Sequence, residues 1–326
     1  MGTSVSVVIP TYNRVSQLGR TLGALAAQDG TGGPVEVVVV SDGSTDGTDE
    51  YLASADVPLP VVGITQHNAG PAAARNRGVE RATGELVLFI DDDVVPAPDL
   101  VAAHVRRHEA AGDDVVVIGP MRTPGEHDIS PWVRWEQDML YKQYDAMERG
   151  DWEPTARQFY TGNASILRRH LDAAGGFDTE FRRAEDVELA YRLADRGLRF
   201  VYAPDAVVLH YAERSFGAWL DVASSYGRND VIFATDRGQP WLLDTIATEF
   251  HGRNGLIRAL TRASVPRPRL RRAATSTLSL VARHAPGKVA RPALSAVYNL
   301  AYYSGMADQL GSAEALLARF DAARPS

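Results

Sequence analysis

The 326-residue sequence contains no cysteine. A disulfide framework, a thiolate nucleophile and Cys-ligated zinc are therefore excluded, and any metal must be held by carboxylates, histidine and water. No Gly-x-Gly-x-x-Gly follows the first strand-like run, where the chain reads Pro10-Thr11-Tyr12-Asn13-Arg14, which disfavours a dinucleotide-binding oxidoreductase. A Gly-x-x-x-x-Gly-Lys-Ser/Thr phosphate loop is absent too, which argues against a P-loop NTPase. Long apolar runs are also missing. The uncharged stretch Pro292 to Ala307 has 16 residues and includes Ser295, Asn299, Ser304 and three tyrosines. It falls short of the ~20 apolar residues of a spanning helix and reads as a buried one. The first residues enter a strand-like run with no basic segment and apolar stretch of signal-peptide length. The expectation is a cytoplasmic protein with at most peripheral membrane contact. No internal repeat or low-complexity tract is visible.

What is present is ordinary in bulk and uneven along the chain. Apolar residues at 45% and charged residues at 23% are globular values. The length exceeds what one compact core usually needs, so a large domain with an appended smaller unit is expected. Residues 240–326 carry 12 Lys/Arg against 5 Asp/Glu, a balance of +7, which leaves −14 for residues 1–239. The change near residue 240 sets the expected boundary. The basic region reads as solvated helix faces, and its charge also suits docking on the acidic part or self-association into a homo-oligomer.

In the first half, β-rich runs (Val5 to Pro10, Val35 to Val40, Val61 to Thr65, Leu86 to Ile90, Val115 to Ile118) alternate with helical stretches. This predicts an α/β fold with a mostly parallel central sheet and flanking helices, and near-continuous Val/Ile runs imply strands covered on both faces. One helix opens at Ser16 with Leu18, Leu22 and Leu25 at helical spacing; Thr45 to Ser54 and Pro71 to Thr83 supply two more. Met121 to Phe159 lacks clean periodicity and holds Trp132, Trp135 and Trp152 among charges, which reads as a loop-rich region or lid with Trp135 on the acceptor side. Beyond it come a strand at Asn163 to Leu167, a helix at Ala184 to Arg196 and a strand at Val207 to His210. After residue 240 the chain reads as mainly helical, broken by Pro266, Pro268, Pro286 and Pro292.

Ligand sites of open α/β sheets lie outside the carboxyl ends of the strands. There the chain is polar: Thr11-Tyr12-Asn13-Arg14, Ser41-Asp42-Gly43-Ser44, Gln66-His67-Asn68 and Asp91-Asp92-Asp93. Three adjacent carboxylates at a buried strand end repel one another and call for a cation. Hard divalent ions such as Mn2+ or Mg2+ take oxygen ligands and keep substrate phosphates, so a metal-diphosphate site fits; a solvated acidic turn is the plain alternative. Asp42 is either a turn former or a carboxylate that reads a nucleobase edge. Arg75 and Arg77, near the start of a helix opened by Pro71, are either ion-pair partners or phosphate holders. Glu185, Asp186 and Glu188 begin a helix, where the dipole accounts for them unless one is a general base. His210 is a structural residue or completes a metal site. His104 and His108, one turn apart beside Arg106, Arg107 and Glu109, read as a solvated helix rather than a metal pair.

Taken in order, Val8-Ile9-Pro10-Thr11-Tyr12-Asn13-Arg14, Asp42-Gly43-Ser44-Thr45-Asp46, Asn68-Ala69-Gly70-Pro71-Ala72-Ala73-Ala74-Arg75-Asn76, Asp91-Asp92-Asp93 and Glu185-Asp186 resemble family 2 of the nucleotide-sugar glycosyltransferases, which have the GT-A fold. The resemblance covers roughly residues 4 to 235. It implies a GT-A-like domain over 1–239, with a nucleotide-sugar half near 1–120 and an acceptor half near 121–239, followed by a helical C-terminal region over 240–326. It further implies a nucleotide-sugar site bordered by Pro10, Thr11, Asn13 and Arg14, with Asp42 on the base, Arg75 near the donor and Asp91 or Asp92 as the second donor contact. Asp93 matches the metal ligand, with His210 resembling a later histidine that completes coordination, and Asp186 matches the catalytic base. Gly162 and Asn163, with Glu185, match the acceptor side. The implied reaction is metal-dependent, inverting transfer of a single sugar from a nucleotide diphosphate donor, UDP expected, to the hydroxyl of a small molecule or glycan. No nucleic-acid partner is expected. The Gln-x-x-Arg-Trp signature of processive synthases is missing. Rival readings are a sugar-1-phosphate nucleotidyltransferase and a non-catalytic nucleotide-sugar binding protein.

Overall fold

The computed structural model describes residues 2–30, 33, 35–54 and 56–323. These form two compact units: residues 1–128 with 139–212, and residues 129–138 with 213–326. The first unit follows the expected alternation. It contains β1 (Val5–Thr11), α1 (Val15–Ala26), β2 (Val35–Asp42), α2 (Thr48–Leu52), β3 (Val61–Gln66), α3 (Pro71–Arg81), β4 (Leu86–Ile90), β5 (Val94–Pro96), α4 (Leu100–Ala111), β6 (Val115–Ile118) and β7 (Met121–Arg122). After helix α5 (Pro131–Glu148) come β8 (Asn163–Leu167), α6 (Arg168–Ala174), α7 (Glu185–Asp195), β9 (Arg199–Tyr202) and β10 (Val208–His210).

Seven strands form the main sheet in the order β3-β2-β1-β4-β8-β6-β9. Only β8 runs against its neighbours, β4 and β6. Its reversal matters for position, because Asn163 at the start of β8 pairs with Ile90 at the end of β4. The residues before β8 therefore arrive at the edge where β1, β2 and β4 end. The sheet is covered on both faces, as its Val/Ile runs require. Val7, Ile9, Val37 and Val39 join Leu18, Leu22 and Leu25 of α1 in one core. On the other face α3 comes so close that a Cβ on Gly78 would lie 2.4 Å from Val8 Cγ1. A second, three-stranded sheet pairs β5 antiparallel with β10 and β10 parallel with β7, placing His210 opposite Val94.

Three expectations are corrected. The Met121–Phe159 segment is not loop-rich, because 18 of its residues form α5. Its inward stripe, Val133, Gln137, Tyr144 and Met147, has the helical repeat, but Gln137 interrupts it and half-buried Trp132 and Trp135 flank it, which hides the period. His104 and His108 are not on a solvated face. Both are buried, with His104 hydrogen-bonded to Ser165 and Asn163 and His108 to Ser165. Burial holds both imidazoles down at about 4, so they are neutral core groups at pH 7. The predicted helix Thr45–Ser54 also starts later, at Thr48, since Gly47 takes φ 90° and the Asp46 carboxylate receives the Thr48 N–H.

In the second unit the start of α5 joins α8 (Phe216–Asp236), α9 (Trp241–Gly252), α10 (Gly255–Ser264), α11 (Pro268–His284), α12 (Gly287–Gln309) and α13 (Ala313–Ala322). Helical structure thus begins well before the composition change at residue 240, because α8 packs along α12. A Cβ on Gly227 would lie 2.0 Å from the Tyr302 carbonyl oxygen, and one on Gly305 the same distance from that of Ser224. Pro292, expected to break the region, lies inside α12. The carbonyl it deprives belongs to Lys288 in the exposed first turn, where water can serve it. Trp132 and Trp135 pack with Phe216, Trp219 and Tyr298. No helix among the described residues is long and apolar enough to cross a membrane.

The glycine contacts make a stability prediction. Gly305→Ala drives a methyl into backbone that cannot rotate away, at a cost of about 2–3 kcal/mol, read as a drop of roughly 5–10 °C in melting temperature. Gly23→Ala in α1, where no atom lies within 4 Å of the added carbon, should hold or raise the melting temperature, because alanine is the better helix former. Equal melting of the two variants by calorimetry would refute the packing argument.

Candidate active site

The loops after β1 and β2 are tied to each other. Asn13 adopts a left-handed φ of 53°, its N–H donates to Ser44 Oγ at 3.0 Å, and its side-chain oxygen receives the Thr45 N–H at 2.7 Å. The Val15 N–H donates to Asp46 Oδ2 at 2.9 Å. Asp42, at the end of β2, is buried and accepts from the Ala69 and Gly70 amides (2.8 and 2.9 Å) and from Gln66 (2.7 Å). It therefore fixes the turn that leads into α3 and retains limited capacity for a further donor.

The three aspartates after β4 diverge. Asp92 points inward, accepting from Thr11 Oγ1 at 2.7 Å and from the Arg14 guanidinium at 2.9 Å. Burial raises its pKa to about 6 against the opposing pull of Arg14. The same guanidinium reaches Asp93 at 2.8 Å. Asp93 Oδ1 is buried without a hydrogen-bond partner and faces His210 Nε2 at 3.5 Å. Burial pushes the Asp93 carboxyl up, but His210 and Arg14 outweigh it and hold it below the usual carboxylate range. The small sheet brings His210 here, through its pairing with Val94.

Asp91 faces a second guanidinium. Buried Arg75 reaches Asp91 at 2.9 Å and Glu185 at 2.7 Å, so one side chain joins the end of β4 to the start of α7. Asp186 follows Glu185 and has a single hydrogen bond, from the Val187 N–H at 2.8 Å. Loss of surrounding water, and then repulsion by Glu185, raise its pKa to about 7, with Arg75 opposing. Ala184, just before, holds φ 59°, a conformation costly for a residue with a Cβ, and this bend aims the carboxylates of the first turn. Glu188, the local rival for the base, is buried and bound to Arg192 at 2.6 Å.

Most of the residues singled out in the sequence thus meet along one edge. Pro10, Thr11, Asn13 and Arg14 come from the end of β1, Asp91, Asp92 and Asp93 from the end of β4, and Glu185 and Asp186 from α7. Gly162 approaches so closely that a Cβ would lie 2.9 Å from Asp91 Oδ2. Two residues are engaged in contacts of their own. Asn163 is buried, with its amide donating to the Pro120 and Ala206 carbonyls, and Trp135 lies in the aromatic cluster of the second unit. Thr21 escaped sequence reasoning. Fully buried on α1, it donates to the Val94 carbonyl at 2.6 Å with that of Asp92 at 3.0 Å, bracing the acidic turn. A threonine next to Leu22 on an apolar helix stripe was the available signal.

The site holds five carboxylates, Asp91, Asp92, Asp93, Glu185 and Asp186, and two guanidiniums. Among the described residues no three His, Asp or Glu side chains form a complete metal cage. The orphaned Asp93 oxygen facing His210 instead fits a cation with two protein ligands, its shell filled by phosphate and water.

The model of glycosyl transferase family 2 matches residues 6–175, which include the β1, β2 and β4 motifs. The chain belongs to this family. Similar glycosyltransferases include the validoxylamine A glucosyltransferase of Streptomyces hygroscopicus subsp. jinggangensis, 34% identical over 222 residues that cover 60% of this chain and 52% of that protein. The pre-mycofactocin glycosyltransferase of Mycobacterium tuberculosis is 30% identical over 229 residues, 68% of this chain and 46% of its own. The chain thus spans about half the length of these curated relatives. Among solved structures, a mannosyltransferase of Pyrobaculum calidifontis in complex with GDP-Man and Mn2+ aligns over 93% of this chain and 87% of that one, at TM-score 0.59 and 23% identity. S. aureus TarS in complex with UDP aligns over 95% and 92%, at TM-score 0.54 and 20% identity. These two likenesses establish the GT-A-like fold of the chain.

Proposed function

We propose that this glycosyltransferase moves a single sugar from a nucleotide diphosphate donor onto an acceptor hydroxyl with inversion, and that it works in the cytoplasm with Mn2+ or Mg2+. The observation that carries the reading is Arg75. One buried guanidinium grips both Asp91, in the acidic donor motif, and Glu185, the neighbour of Asp186, so the donor carboxylates and a base poised near neutrality are held in one frame.

In this reading the loops tied by Asn13 and Asp42 border the nucleoside. Asp186 takes the acceptor proton as the hydroxyl oxygen bonds to the anomeric carbon, and the bond from that carbon to the diphosphate oxygen breaks on the opposite face. Asp93 and His210 would hold the divalent cation, and the chemistry it would supply there is neutralisation of charge on the departing diphosphate. Arg14 and Arg75 hold the carboxylates apart and oriented. UDP is the proposed donor nucleotide. The family and the nucleotide and metal complexes of the two structural neighbours support a sugar-nucleotide donor.

The test is turnover of isotope-labelled UDP- and GDP-sugars with a panel of hydroxyl acceptors. Release of nucleoside diphosphate with a glycosylated product of inverted anomeric configuration is expected. Pyrophosphate release would assign a nucleotidyltransferase instead, and tight binding without any turnover a binding protein.

A further inference from the structure

Residues 250–307 contain ten Lys/Arg and not one Asp or Glu. In a chain of net charge −7, such a stretch is a strongly localised positive surface. It comprises α10, α11 and most of α12. Of the 17 residues of α11 only Ala282 is buried, with Leu278 and Val281 partly packed beside it. The opposite stripe of the same helix, Arg269, Arg272, Ser276, Leu280 and Arg283, recurs at helical spacing and is exposed throughout. Arg262, Arg271 and Arg291 are spent on Asp321, Asp308 and Asp138. Arg269, Arg272 and Lys288 meet no carboxylate among the described residues.

Exposed aliphatic side chains stand among these charges. Leu256 is 81% exposed, Leu280 63%, Val289 53% and Leu270 44%. A nucleic-acid surface would present aromatic rings for stacking, whereas the exposed large apolar residues of this stretch are all aliphatic. Exposed aliphatic side chains in the same helices as the carboxylate-free Arg269, Arg272 and Lys288 complement an anionic lipid surface: the basic groups meet the headgroups and the aliphatic ones enter the boundary below them.

We infer that the face of α11, with Leu256 of α10 and the start of α12, docks peripherally on anionic membranes. The chain is then held at a lipid surface through its second unit. This does not depend on the reaction proposed above.

The experiment is cosedimentation of the full chain with vesicles of phosphatidylcholine alone and of equimolar phosphatidylcholine and phosphatidylglycerol. Binding to the anionic vesicles only, weakened by added salt, is expected. Arg269→Glu with Arg272→Glu should lower partitioning at least about fivefold per residue, and Leu280→Ser about tenfold. All three side chains are exposed, so the variants should keep the parent's melting temperature and its turnover of soluble substrates. Equal partitioning onto neutral and anionic vesicles, or no binding to either, overturns the proposal. So does tighter binding of a DNA or RNA fragment through the same arginines, or their use in a lipid-free dimer detected by sedimentation equilibrium.

Discussion

Asp186→Asn should bind the donor nucleotide as the parent does yet transfer sugar roughly 10²- to 10⁴-fold more slowly, the range for loss of a general base. The replacement keeps the shape and the bond from the Val187 N–H while removing basicity. Because the parent carboxyl titrates at about 7, transfer should rise with pH through neutrality and level off above it, and the variant should lose that rise. Stability has the opposite dependence. A carboxyl raised from 3.8 to about 7 by folding binds its proton more tightly in the folded state, so its contribution to stability falls as pH rises between those values. Asp186→Asn should therefore melt no lower than the parent at pH 8. Near-normal transfer by this variant, or a product that retains the donor's anomeric configuration, would remove Asp186 from the role. Glu188 is a poor substitute, since Arg192 already holds it.

A second large loss is expected from Asp93→Ala: roughly 10²- to 10³-fold in turnover, the scale for removing one preorganised stabiliser of developing charge. Mn2+ binding followed by electron paramagnetic resonance in the presence of nucleoside diphosphate should weaken in parallel, and His210→Ala should weaken it less. The difference follows from charge, since the carboxylate is anionic and the imidazole ligates as a neutral group. Full turnover by the metal-free parent in excess chelator would defeat this assignment.

The polar residues gathered at the sheet edge were legible because strand ends in an open α/β sheet announce themselves: an apolar run stops and Asp42 or Asp91-Asp92-Asp93 follows. Less was legible where position depends on pairing between distant segments. Nothing in Asn163–Leu167 reveals that β8 runs against the sheet, and that direction is what brings Gly162 to the Asp91 carboxylate. His210 reaches Asp93 through a three-residue strand too short to carry a pattern. His104 and His108 misled because charged neighbours suggested solvent, while their own face of α4 turns inward to Ser165 and Asn163. In α5 the glutamine on the inner stripe, with half-buried Trp132 and Trp135 beside it, blurred the repeat. The composition change at residue 240 marks charge, not packing, for α8 belongs with α12.

Arg14 reaches Asp92 and Asp93 with the same nitrogen, so the chain carries a tethered counter-ion for its own acidic turn. Folding does not have to wait for a metal to quench the repulsion between those two carboxylates. If the proposed cation binds there, folding and loading are separable events, because Arg14 already offsets the charge of both carboxylates. On the metal-dependent reading proposed above, a chelator should abolish transfer yet lower the melting temperature only by as much as cation binding had raised it, leaving a cooperatively folded protein. An acidic turn without such an arginine would tie its own folding to the supply of divalent ion.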